Sequence, residues 1–136
     1  MIISTEKRPE QKKTGCKVLI ADDEPAIRNI LARILSNKGH QVHTVSSGKA
    51  ALAILHQKGY DLLIADIKMS GVSGIDLYRT LKKKHPDMAD KTVFITGDTM
   101  TEETNDFLVS SGRPYLAKPF TPIEFLEIIE RSLEGK

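Results

Sequence analysis

The sequence has no tryptophan, a single cysteine and only 5% aromatic residues, and none of its apolar runs approaches the roughly 18 residues of a membrane span. The lone Cys16 excludes an intramolecular disulfide and fits a reducing compartment. Beside an apolar run it reads as a small core or edge residue rather than a nucleophile. The opening Met-Ile-Ile-Ser-Thr-Glu-Lys-Arg lacks the apolar region of a signal peptide. A soluble cytoplasmic chain with no membrane segment is expected. Excess charge of one sign is also missing. The net +2 sits in residues 1–15, where Lys7, Arg8, Lys12 and Lys13 outnumber Glu6 and Glu10. The remainder is balanced, which argues against a nucleic-acid footprint.

What is present suits one globular domain: 136 residues, 40% hydrophobic and 28% charged. Residues 1–15 are polar, lack periodicity and contain Pro9 and Gly15, so they read as a flexible leader before a domain spanning 16–136. The domain is organised around Leu62–Asp66, four apolar residues ending in a carboxylate. Such a run predicts a strand buried on both faces, as in a parallel sheet covered by helices. Asp66 would then stand at the carboxyl end of a central strand, where open α/β sheets hold ligands.

The rest of the chain repeats this grammar. Lys17–Ala21 is a buried strand running into Asp22, Asp23 and Glu24, and Pro25 starts a helix whose apolar face is Ile27, Ile30, Leu31, Ile34 and Leu35. Gly39 stops that helix. Gln41–Val45 alternates weakly, as an edge strand does, and residues 50–55 form a short helix. A loop over 67–73 leads to a helix over Gly74–Lys84, which Pro86 ends. Thr92–Thr96 is a β-branched and aromatic strand. Thr99 with Glu102 predicts a capping box for the helix holding Phe107, Leu108 and Val109. Tyr115–Ala117 is a last short strand, and Thr121 with Glu124 caps a helix whose inward face is Phe125, Leu126, Ile129 and Leu133. Five strands alternating with five helices, joined by right-handed crossovers, predict a doubly wound α/β parallel sheet.

Polar groups gather where the strands end: Asp22 and Asp23, Asp66, Thr96, and Lys118 before Pro119. On parallel neighbouring strands these share one rim. Like charges about 4 Å apart cost roughly 4 kcal/mol per pair at an effective dielectric of 20. A divalent cation relieves that conflict, and an all-oxygen ligand set suits Mg²⁺. Taken singly each residue has a plainer role, as helix cap, turn former or solvated lysine. The order and spacing carry the argument.

Val-Leu-Ile-Ala-Asp-Asp-Glu-Pro, Leu-Leu-Ile-Ala-Asp-Ile-Lys-Met, Val-Phe-Ile-Thr-Gly and Tyr-Leu-Ala-Lys-Pro-Phe resemble, in order, the motif blocks of response regulator receiver domains. The resemblance covers about residues 16–134, with intervals of 43, 30 and 22 between Asp23, Asp66, Thr96 and Lys118. It implies a flavodoxin-like fold of strand order 2-1-3-4-5. It implies a phosphoacceptor in two-component signalling, with Asp66 receiving phosphate from a sensor histidine kinase or histidine phosphotransfer protein, and not a turnover enzyme. Asp22, Asp23, Asp66 and the Lys68 carbonyl would hold Mg²⁺. Lys118 would pair with the phosphoryl group, Thr96 and Tyr115 would act as the switch, and the Lys118–Pro119 bond would be cis. Output would pass to a downstream protein over the 101–134 face, from a stand-alone regulator or from the receiver of a hybrid kinase.

Some positions depart from the pattern or lie outside it. Ser70 replaces the proline usual four residues after the acceptor. The resemblance implies that Lys68 and Asp98 stand at the two family positions that influence dephosphorylation, where an ion pair between them would shield the acyl phosphate. A catalytic aspartyl-phosphate phosphatase and a non-phosphorylated dimerisation module remain alternatives. Lys68 where a phosphatase would have a second acid speaks against the first, and the full residue set against the second. His40, His43, His56 and His85 show no convergent spacing and are expected at the surface.

Overall fold

The computed structural model describes residues 15–97 and 101–134. Five strands, β1 (Lys17–Ala21), β2 (Gln41–Val45), β3 (Leu62–Asp66), β4 (Thr92–Thr96) and β5 (Tyr115–Ala117), form one sheet in the order β2-β1-β3-β4-β5. Every pairing is parallel. The helices are α1 (Pro25–Asn37), α2 (Gly48–Leu55), α3 (Gly74–Lys84), α4 (Pro86–Ala89), α5 (Glu102–Ser111) and α6 (Pro122–Glu134).

The apolar runs are unbroken because successive residues face opposite covered layers. Leu19, Ala21, Leu63, Ala65 and Phe94 pack against α2, α3, α4 and α5. Val18, Ile20, Leu62, Ile64, Val93 and Ile95 pack against Leu31 and Leu35 of α1 and Phe125, Ile129 and Leu133 of α6. Side chains of a strand alternate with period two, so both sets must be apolar. Only the two edge strands, β2 and β5, lack buried positions. A one-residue slip of any central strand would exchange its two sets of partners.

The helix starts depend on local chemistry. Ser47 and Ser73 accept hydrogen bonds from Ala50 and Asp76 N–H, which starts α2 at Gly48, two residues before the expected 50. Thr121 and Glu124 form the expected reciprocal box. The α5 cap is Thr101, which accepts from Thr104 N–H at 3.1 Å; Thr99 and Asp98 lie outside the described residues, as do residues 1–14 of the 1–15 leader. Phe107 and Leu108 of α5 are buried, whereas Val109 is exposed. Pro86 ends α3 as expected and also opens α4, a single turn absent from the predicted five helices. Proline suits that first position because its missing N–H would have had no partner there.

The histidines correct another expectation. His40 is buried, and its Nδ1 accepts the Cys16 backbone N–H at 3.3 Å. His56 Nδ1 and His85 Nε2 face each other at 2.8 Å, and His43 Nδ1 lies 2.7 Å from the Tyr60 hydroxyl. Spacings of 17 and 29 residues hid these contacts; His56 meets His85 because helices α2 and α3 end on the same side of the sheet. No helix among the described residues is long and apolar enough to cross a membrane.

Candidate functional site

Parallel strands in this order bring the ends of β1, β3 and β4 to one rim, with Asp22 one residue past β1, Asp66 closing β3 and Thr96 closing β4. Asp22, Asp66 and Thr96 are buried, and Asp23 is half-buried. One carboxylate oxygen from each of Asp22, Asp23 and Asp66 lies within 4.8 Å of the others. The spatial expectation for the acids is therefore met.

Each carboxylate is oriented by a backbone amide. Asp22 Oδ1 accepts from Glu24 N–H at 2.9 Å, Asp66 Oδ1 from Lys68 N–H at 3.0 Å, and Asp23 Oδ2 from Ser70 N–H at 3.2 Å. Ser70, standing where the resembled pattern has proline, thus donates an N–H that a proline in that place would lack. Lys118 reaches the cluster from beyond β5: its Nζ lies 3.3 Å from Asp66 Oδ2 and 2.8 Å from Glu24 Oε1. Its N–H also donates to Thr96 O at 2.8 Å, which ties the lysine to the end of β4, and the Lys118–Pro119 bond is cis. Gly74 completes the frame. A Cβ there would lie 2.5 Å from Asp66 O, so the start of α3 can approach the end of β3 only without a side chain.

The electrostatics suit a cation. Burial, chiefly, pushes the Asp22 carboxyl up to about 6; the nearby Asp66 charge adds to this, and the Glu24 N–H works against it. Asp22 Oδ2 is buried with no hydrogen-bond partner. An orphaned buried carboxylate oxygen beside two other carboxylates fits a hard divalent cation, whose preferred ligands are oxygens. Burial disfavours the Lys118 ammonium, but its bonds to Glu24 and Asp66 outweigh that and hold its pKa above the ordinary value.

Lys68 lines one open cleft with Asp23, Met69, Ser70 and Ser73. Tyr115 is not gathered into the cluster: it stands exposed on β5, beside Arg113, Ile128 and Arg131. Two contacts were not anticipated. Glu24 was read only as part of an acidic run, and Arg28 Nη1 donates to Asp22 O at 2.8 Å. The position of Glu24 before a helix-starting proline signals a side chain near the rim, but no spacing points it to Lys118.

A profile of the response regulator receiver domain matches residues 18–130. Sensor kinase CckA of Brucella abortus is 31% identical over 119 residues, covering 86% of this chain and 12% of that protein. The DNA-binding transcriptional regulator NtrC of Salmonella typhimurium is 30% identical over 116 residues, covering 85% of this chain and 24% of that one. The chain thus spans a quarter or less of these two relatives. The crystal structure of a CheY-like response regulator receiver domain protein from Methanospirillum hungatei JF-1 matches with a TM-score of 0.80 at 29% identity, over 88% of this chain and 94% of that one. Sheet order, acidic rim and matched span lead to one conclusion: the chain belongs to the family of response regulator receiver domains of two-component systems.

Proposed function

We propose that Asp66 is the phosphoacceptor of a cytoplasmic phosphorelay, taking phosphate from a sensor histidine kinase or histidine phosphotransfer protein. The observation that carries this reading is the convergence of three carboxylates and an ammonium on one rim, with Lys118 Nζ 3.3 Å from Asp66 Oδ2. An Asp66 carboxylate oxygen attacks phosphorus, and the P–N bond of the phosphohistidine breaks. The electron pair leaves with the imidazole, which takes up a proton. Such transfers spread charge over three equatorial oxygens, so catalysis is largely positioning and neutralisation.

The geometry supports a role for each residue. The Lys68 N–H, bonded to Oδ1, keeps the acceptor carboxylate oriented toward Lys118 through its other oxygen. Lys118 offsets charge on the transferred group. Asp22, Asp23, Asp66 and the Lys68 carbonyl would hold Mg²⁺, which when bound supplies the remaining neutralisation. Thr96, buried at the end of β4, would answer a new charge on Asp66 and pass the change to α5 and Tyr115. Exposed Val109, Tyr115 and Ile123 give the 101–134 face apolar surface for a downstream protein. The transfer is stoichiometric rather than catalytic, since Lys68 stands where a phosphatase would have a second acid.

Incubation with acetyl phosphate tests this reading. Stoichiometric labelling that needs Mg²⁺ and is lost in Asp66→Asn is expected. Continuous phosphate release would point to a phosphatase, and no labelling to a dimerisation module.

A further inference from the structure

Lys118 has two carboxylate partners, and the nearer one is not the acceptor. Glu24 Oε1 lies 2.8 Å from its Nζ, against 3.3 Å for Asp66 Oδ2. The Glu24 side chain is 59% exposed and that of Asp66 5%. Local structure explains the reach. Glu24 occupies the N-cap of α1, yet its carboxylate makes no capping bond. Its backbone N–H is held by Asp22 Oδ1 at 2.9 Å, and Pro25 fixes the chain direction immediately after it. The side chain is thereby directed across the rim to a lysine 94 residues away.

We propose that Glu24 is a positioning residue acting through Lys118: it holds the ammonium at the mouth of the pocket while Asp66 is unmodified and yields it to the phosphoryl group. This rests on the reading of Asp66 as phosphoacceptor. The mechanism is competition for one cation. A phosphoryl group brings nearly two negative charges and three acceptor oxygens, and it is a stronger partner than a solvated carboxylate. Glu24 opposes capture in two ways. Its bond to Lys118 must be given up, and its charge faces the arriving anion. The first effect passes through Lys118 and the second does not, so they can be separated. Because Glu24 is exposed, the restraint amounts to a factor of about two to five in binding, the range of solvent-exposed ion pairs.

The test uses beryllofluoride, a phosphoryl mimic, titrated with Mg²⁺ into the whole chain and followed calorimetrically. Glu24→Gln should bind it about two to five times more tightly than wild type. Glu24→Asp, whose shorter side chain keeps the charge but loses reach, should gain as well. Lys118→Met should shrink the gain from Glu24→Gln to the part that comes from the Glu24 charge alone. Crystal structures with and without the mimic give the second readout: Lys118 Nζ should leave Glu24 for a fluorine of the complex, and a merely structural Glu24 would not produce that movement. The proposal is overturned if Glu24→Gln binds no more tightly, if the gain survives intact in Lys118→Met, or if Lys118 keeps its Glu24 bond in the complex. If Lys118→Met binds too weakly to measure, the crystal structures decide. Failure of wild type to bind the mimic at all would overturn the phosphoacceptor reading, and this proposal with it.

Discussion

The two ends of the sheet are built from the same strands and hold opposite chemistry. At the carboxyl end, Asp22, Asp23 and Asp66 cluster, Lys118 bridges Asp66 to Glu24, and a buried carboxylate oxygen is left without a partner. Toward the amino end, His40, His56 and His85 hydrogen-bond to backbone or to one another, alongside Lys58, Lys84 and Lys91. The difference lies in what each arrangement leaves unsatisfied. The histidine contacts close on themselves, since one ring nitrogen donates where its neighbour accepts. The carboxylates have only acceptors to offer each other, so they require an outside partner. Conflict stored at one rim, with ordinary packing at the other, separates a site from a scaffold.

The sharpest way to break this contrast is at the acceptor. Asp66→Asn should lose all acyl-phosphate labelling while retaining the far-ultraviolet circular dichroism of the fold. His85→Asn, at the other rim, should label like wild type.

Next in size is the charge conflict itself. The Asp22 carboxyl is raised from 3.8 to about 6 by burial, so the folded chain binds a proton that the unfolded chain has released. Stability of the metal-free protein should therefore fall as pH rises through that window, by at most about 2–3 kcal/mol. The penalty is absent below the ordinary value and complete above about 6. Asp22→Asn should flatten the slope and stabilise the metal-free chain at pH 7, as read by urea unfolding. A metal-free wild type with no slope there would contradict the conflict.

Backbone crowding comes third. Gly74→Ala forces a Cβ against Asp66 O and should cost about 1–3 kcal/mol in urea unfolding, the usual range for overpacking.

The histidine end should respond in the opposite sense to pH. Burial lowers the His40 pKa, only partly offset by Glu130. Its contribution is therefore present above 6.5, the ordinary value, and lost as pH falls through it. His40→Gln should remove that acid-side loss. The smallest effect belongs to the exposed His56, whose replacement by alanine should change stability by about 0.5 kcal/mol or less.

What could be read from the chain beforehand follows from how each feature is encoded. β1, β3 and β4 were legible because burial on both faces demands continuous apolar runs, and Asp22, Asp66 and Thr96 are where those runs break. The meeting of the acids followed from sheet order. Contacts between remote helices and loops had no such code. Glu24 meets Lys118, and His56 meets His85, through crossovers that set distance without leaving a period in the sequence. The turn at Pro86 was missed because proline both ends a helix and begins one. The α5 cap fell on Thr101 because two threonines precede the helix and only the backbone path chooses between them.

One measurement bears most directly on the central claim that this rim makes Asp66 a phosphoacceptor. Treatment with acetyl phosphate and Mg²⁺, followed by borohydride reduction, converts an aspartyl phosphate to homoserine, which peptide mass spectrometry can locate. The account predicts homoserine in place of Asp66, only when Mg²⁺ is present. Homoserine at another aspartate, or none in protein that is folded and Mg²⁺-loaded, would contradict it.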